Sequence, residues 1–148
     1  MPAVLIDTNL LVYASDPADA SRQQQALTVL KHLETTGFGR LSVQCLSELA
    51  NVLTRGPRPR YTFAAALKIV ESLARVYPVY DLTPMVVLEA VRGARDYSLA
   101  YYDAQIWACA RLNQTPVIFS EDFNHGSTLE GVRFINPLAP GFDLSAWT

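Results

Sequence analysis

This sequence predicts an α/β fold built on a mostly parallel sheet. Short apolar, β-branched runs alternate with helical segments along the chain, and strands separated by helices pair in parallel through crossovers. The runs are continuously apolar, as in strands covered on both faces. Hydrophobic residues make up 50% and charged residues 18% of 148 positions, enough to build the core of one domain spanning 1–148.

The elements follow in order. AVLID (3–7) reads as a buried strand and Asn9 to Ala14 as a short helix. Asp16-Pro17 supplies an N-cap and an N1 proline for a helix to about Thr36, which Gly37 and Gly39 end. RLSV (40–43) is a second strand. Gln44 to Arg55 is helical until GPRPR (56–60) stops it. Thr62 caps a helix to Arg75, and Val76 to Leu82 reads as a strand. Thr83-Pro84 opens a helix to about Arg95, and another runs from about Tyr101 to Asn113. PVIFS (116–120) and VRFI (132–135) are the last strands.

Composition narrows the function. No run of about 18 apolar residues is present, so a membrane-spanning helix is not expected. MPAVLIDTNL carries no basic residue and is broken by Asp7, a poor secretory signal. Two cysteines, Cys45 and Cys109, make no disulfide framework and suit a reducing cytoplasm. Twelve basic residues against fourteen acidic ones give a net charge of −2 and a pI near 5.6, far below the basic range of domains that hold nucleic acid on a broad cationic face. A nucleic-acid ligand would need a local basic patch or a metal.

Four acids stand out. In open α/β sheets, ligands bind beyond the carboxyl ends of the strands. Asp7 follows AVLI and Asp122 lies two residues beyond PVIFS, so both reach one rim. Either alone can equally be a capping or turn residue. Asp103, at about 100° per residue, shares its helical face with Leu99, Ala100, Ile106, Trp107 and Ala110. Glu48 sits at the edge of an arc of Cys45, Leu49, Val52 and Leu53. Each can be a buried ion-pair partner, but neither Arg55 nor Arg111 is expected one or two turns away on the right face. Converging carboxylates without basic partners raise one another's pKa, and a divalent ion resolves the conflict. Hard oxygen ligands without a His or Cys cluster favour Mg²⁺ or Mn²⁺ over Zn²⁺.

Asp7-Thr8-Asn9 after the first strand, Ser47-Glu48-Leu49 on a helix, Tyr102-Asp103-Ala104 opening a later helix and Ser120-Glu121-Asp122 after a strand together resemble the PIN-domain family, most of all the VapC-type toxins of toxin–antitoxin pairs. The likeness runs nearly the whole chain, to EGVRFINP. It implies an α/β/α sandwich and a metal-dependent endoribonuclease inhibited by a cognate antitoxin. Residue by residue it implies an acidic site of Asp7, Glu48, Asp103 and Asp122. Asp7, Asp103 and Asp122 would hold one or two Mg²⁺ or Mn²⁺ ions, with Asn9 and Ser120 in support. A homodimer is implied as well.

Setting the four acids aside leaves ten acidic against twelve basic residues, a net +2 for the rest, which eases polyanion binding. Arg55, Arg58 and Arg60 form the densest basic cluster, extended by the prolines between them, and read as phosphate contacts, a solvated loop or a protein contact. His125, Arg92 and Arg95, and Tyr97, Tyr101 and Tyr102 are weaker candidates for substrate contact. Glu121 and Asp96 read as solvated or capping acids. Two other functions compete. A small phosphate-ester hydrolase would use Asp7 as nucleophile, but it lacks a second Asp two residues on and a lysine near the rim. A non-catalytic RNA- or partner-binding module would act on RNA without metal.

Overall fold

The computed structural model describes residues 2–148. At its centre are six strands, β1 (Val4–Ile6), β2 (Gly39–Ser42), β3 (Val79–Tyr80), β4 (Val117–Phe119), β5 (Thr128–Leu129) and β6 (Val132–Ile135). They lie in the order β3-β2-β1-β4-β6-β5. Every pairing is parallel except that of β5 with β6, a hairpin closed by Glu130 and Gly131, both at positive φ, the geometry a two-residue turn between twisted strands demands.

Among the described residues six α-helices connect the strands: α1 (Thr8–Ala14), α2 (Ala20–Thr36), α3 (Val43–Thr54), α4 (Phe63–Val76), α5 (Pro84–Tyr97) and α6 (Tyr101–Leu112). The chain steps outward from β1 to β2 to β3, then returns across the sheet to β4. Right-handed crossovers therefore place α1–α4 on one face and α5–α6 on the other, and α1 packs on α2 and α3, α3 on α4, and α5 on α6. The β1 and β4 strands, where the connections diverge, are buried along their whole length, as continuous apolar runs require when both faces are covered.

Several boundaries differ from the sequence reading, each for a local reason. Asp19, not Asp16, caps α2 by accepting from the Arg22 amide; Asp16 instead accepts from the Ala18 amide in a turn. Gly37 is the left-handed C-cap of α2, but Gly39 begins β2, where a Cβ would stand 2.7 Å from the Tyr77 ring. Ser42 caps α3, so Val43 is helical rather than the end of a strand. The strand expected over 76–82 shrinks to Val79–Tyr80, because α4 runs on through Val76. The hairpin strand β5 and the 3₁₀ turn Leu144–Ala146 have no counterpart in the sequence reading. The 3₁₀ turn belongs to a tail in which Phe142 and Trp147 pack edge-on against Phe119. Among the described residues no helix is long and apolar enough to cross a membrane.

Candidate active site

The site begins where β1 ends. Ile6 pairs with Phe119, so the next residues, Asp7 and Ser120, emerge side by side from two adjacent parallel strands, at the point where the crossovers diverge. The Asp7 amide still donates to the Phe119 carbonyl (3.0 Å). Its carboxylate turns back to cap α1, Oδ1 accepting from the Thr8 amide (2.7 Å). Oδ2 accepts the Ser120 hydroxyl proton (2.7 Å). That hydroxyl is a hub: its Oγ also accepts from Asn9 Nδ2 (3.1 Å) and from the Asp122 amide (3.0 Å). The Asp-Thr-Asn and Ser-Glu-Asp segments are thus tied together through one oxygen.

Glu48 enters from α3. Its Oε2 accepts from the Thr8 hydroxyl (2.9 Å) and its Oε1 from Gln44 Nε2 (2.7 Å). Asp103 is the third residue of α6. It is half-buried, not enclosed in an apolar stripe as its helical spacing suggested, because Leu99 and Ala100 precede the helix at its open end. No side chain caps α6, and an anion in this first turn meets unpaired amides.

The electrostatics separate these acids. Asp7 is 4% exposed, and burial is the main reason its carboxyl is pushed up to about 7. The bonds from Ser120 and Thr8 oppose that rise, while the charges of Asp122 and Glu48 add to it. The Asp103 carboxyl is also raised, by desolvation and then by Asp122 and Glu48. The four acids therefore share one field. Among the described residues none forms an ion pair with a basic side chain.

This arrangement suits a hard divalent cation. The donors are carboxylate oxygens, and the most buried of them has no compensating charge among the described residues. One further buried oxygen, Asn9 Oδ1, has no hydrogen-bond partner. Among the described residues no three ligands close into a cage. An ion held here would keep part of its water shell, as Mg²⁺ does.

The remaining candidates sort by their contacts. Arg55 is the extended C-cap of α3; it forms no ion pair with Glu48 among the described residues, but it faces the same cleft. It lines a cleft of about 800 Å³ with Glu48, Val43, Leu82 and Tyr102. Arg58 is exposed. Arg60 is held by Asp16 (3.6 Å) and is not simply a solvated loop cation. Arg92 serves the fold: it binds Glu89, Asp96 and Glu130 and lies over the Trp107 ring. Arg95 binds Asp96. Glu121, read as solvated or capping, instead accepts from the Tyr13 hydroxyl and from Arg22, which pins the loop beside Asp122. His125 Nδ1 accepts from the Asn136 amide. Tyr102 is 66% exposed at the cleft, whereas Tyr97 bonds Glu130 and meets Trp107 edge-on. Both cysteines are buried.

The sequence reading passed over Thr8 as a partner of Glu48, and it missed Gln44 and Gln105 entirely. The signal was there: Gln105 is a polar residue inside the otherwise apolar stretch Ala104 to Ala110.

The sequence profile of the PIN domain matches residues 4–128. No curated protein sequence matches the chain. Among solved structures, Mycobacterium tuberculosis VapC20, described as a Sarcin-Ricin loop cleaving toxin, superposes with a TM-score of 0.66 at 20% identity, covering 86% of this chain and 98% of that one. VapBC2 from Rickettsia felis, bound to a promoter DNA fragment, gives 0.64 at 12% identity over 89% and 96%. A toxin–antitoxin complex from Klebsiella pneumoniae gives 0.61 at 17% identity over 91% and 98%. These likenesses establish the shared fold.

Proposed function

The chain belongs to the PIN-domain family, and from that premise we propose that it is the toxin of a toxin–antitoxin pair, an endoribonuclease that hydrolyses RNA phosphodiester bonds with Mg²⁺ or Mn²⁺. The observation that carries this reading is a buried carboxylate, Asp7, facing Glu48 and Asp122 with no cation to balance it among the described residues. The VapC and VapBC names of its structural neighbours support it.

Asp7, Asp103 and Asp122 would hold one or two ions, and Glu48 would contribute directly or through water. When bound, the metal supplies activated water at neutral pH and offsets the charge that builds on the phosphate. The chain's own residues do the positioning. Ser120 and the Thr8 amide fix both oxygens of Asp7, Asn9 holds Ser120 in turn, and Thr8 orients Glu48. Attack by water rather than by the ribose 2′-hydroxyl leaves a 5′-phosphate and a 3′-hydroxyl.

The cleft beside Glu48 gives the RNA strand a path. Arg55, at the C-terminal end of α3, lines the same cleft as Glu48 and would contact a phosphate of a strand lying in it. Tyr102 offers an exposed ring for base stacking. Arg58 extends the basic surface, and Arg60 shares its charge with Asp16.

The cognate antitoxin would place an arginine near Asp7 and Asp103 and an apolar segment in a surface groove. A groove of about 550 Å³ between α3 and α4, lined by Ala50, Thr54, Phe63, Ala66 and Leu67, has the required character. Met85, Leu88 and Val91 on α5 are exposed and suit a homodimer contact. The working compartment would be the cytoplasm.

The test is cleavage of RNA by the purified chain with Mn²⁺ or Mg²⁺ and with excess EDTA, beside Asp7→Asn. Metal-dependent cleavage that Asp7→Asn abolishes is expected. Undiminished cleavage in EDTA, or by Asp7→Asn, would overturn the reading.

A further inference from the structure

Two buried glutamines form a directed chain that ends on Glu48. Gln44 is 6% and Gln105 4% exposed, and buried amides are costly unless every polar atom is used. The Tyr101 hydroxyl donates to Gln105 Oε1 (3.0 Å), Gln105 Nε2 donates to Gln44 Oε1 (2.9 Å), and Gln44 Nε2 donates to Glu48 Oε1 (2.7 Å). The other proton of Gln44 Nε2 goes to the Tyr102 carbonyl (3.0 Å).

The direction of this chain is forced. An ionised Glu48 and a backbone carbonyl only accept, so Gln44 must present its nitrogen to both. Its oxygen then faces Gln105, which must present its own nitrogen, leaving the Gln105 oxygen for the tyrosine hydroxyl. Neither amide can turn over without setting donor against donor or acceptor against acceptor.

A tie between α3 and α6 alone would need only the Gln105 and Tyr102 contacts. The shorter bond from Gln44 Nε2 goes instead to the acid. Thr8 holds the other Glu48 oxygen from α1, so the carboxylate is gripped from two sides. Each oxygen has a single protein donor, which leaves each a free lone-pair direction. Gln44 also spans one turn of α3, so it holds Glu48 from its own helix while Gln105 braces it from another.

We propose that Gln44, braced by Gln105, is the positioning residue for Glu48 and thereby sets the affinity of the acidic site for its divalent ion. This rests on the reading of the site given above, and the controls separate the two. Outer partners of metal ligands typically change affinity by about 10–100-fold when removed.

The experiment measures Mn²⁺ binding to RNA-free protein by the electron paramagnetic resonance of unbound Mn²⁺, for wild type, Asp7→Asn, Gln44→Met and Gln105→Met. Methionine keeps the length and loses the N–H. Gln44→Met is expected to bind Mn²⁺ about tenfold more weakly or worse, and its cleavage rate is expected to recover as Mn²⁺ is raised. A purely structural lesion would not be rescued by metal. Gln105→Met should lose less, because Gln44 keeps the Tyr102 carbonyl as an anchor, and it carries the test if Gln44→Met fails to fold. Wild-type Mn²⁺ affinity in a folded Gln44→Met, or in Gln105→Met if Gln44→Met does not fold, overturns the relay while leaving the metal site standing, provided Asp7→Asn binds poorly. Failure of the wild type to bind Mn²⁺ overturns both.

Discussion

Burial sets Asp7 apart from its neighbours and makes it a probe of folding as well as of chemistry. Its carboxyl titrates near 7 in the folded chain against 3.8 for an ordinary aspartate. Between those values the folded state holds the extra proton, so metal-free stability falls as pH rises from about 4 to about 7, then levels off. At about 1.4 kcal/mol per unit, the whole effect is on the order of 4 kcal/mol. Asp7→Asn should flatten this profile in urea unfolding with EDTA across pH 4–8. Its absolute gain should be smaller, because Asn puts an NH₂ donor in place of one of the two oxygens that accept from Thr8 and Ser120. Mn²⁺ should stabilise the wild type at neutral pH and leave Asp7→Asn unmoved. Asp103→Asn should raise the metal-free melting temperature by less than relief of a buried charge would, since Asp103 is half-exposed and its charge also meets the open end of α6. A fall in that temperature would make Asp103 a structural acid. At this scale the shared rim of Asp7 and Asp122 was legible because strand ends fix direction, whereas helical spacing overstated the burial of Asp103. The Ser120 hub and the Gln44 chain were not, because they depend on contacts 113 and 61 residues apart.

Helices and loops carry two further expectations. Gly93 on α5 lets α6 approach so closely that a Cβ there would stand 2.5 Å from Trp107. Gly93→Ala should therefore cost about 1–3 kcal/mol through overpacking, read in denaturant unfolding, although alanine is the better helix former. The α3–α4 loop offers a test of the proposed RNA path. Replacing Arg55 and Arg58 with Ala should lower the salt slope of RNA binding by about 0.7 per lost phosphate contact. Arg60→Ala should leave the slope unchanged, because Asp16 already holds that side chain. A slope indifferent to Arg55 would remove the cleft from the substrate path. Most helices were readable from caps such as Thr62 and Thr83, whose hydroxyls bond the amides three residues on. The misplacements came where two signals competed. Asp16-Pro17 looks like a helix start until Asp19 offers a better one, and Val79–Tyr80 is a strand only because β2 lies beside it.

Across the whole molecule, the site exists because the chain reverses its direction of travel between β3 and β4. That reversal leaves the ends of β1 and β4 uncovered by any crossover, and the first and last acids sit there. The alternation of strands and helices was enough to foresee a parallel sheet with this rim. The antiparallel β5–β6 hairpin was not foreseeable, since two residues, Thr128–Leu129, carry no periodicity. On the proposed reading, an antitoxin bound to this chain should bring a guanidinium to the acids and weaken Mn²⁺ binding. A complex with unchanged metal affinity would place its inhibition elsewhere. The two helical layers on either side of the sheet also give the chain a pair of optical reporters. Its two tryptophans lie in different surroundings: Trp107 is enclosed on α6 with its indole N–H donating to the Leu129 carbonyl, and Trp147 lies in the tail against Phe119 and Phe142, beside His32 of α2. With one replaced by Phe at a time, fluorescence follows each layer separately. Because both layers close on the same central strands, their emission should shift at the same denaturant concentration, and an earlier shift from Trp147 would mean that the tail peels away before the sheet gives.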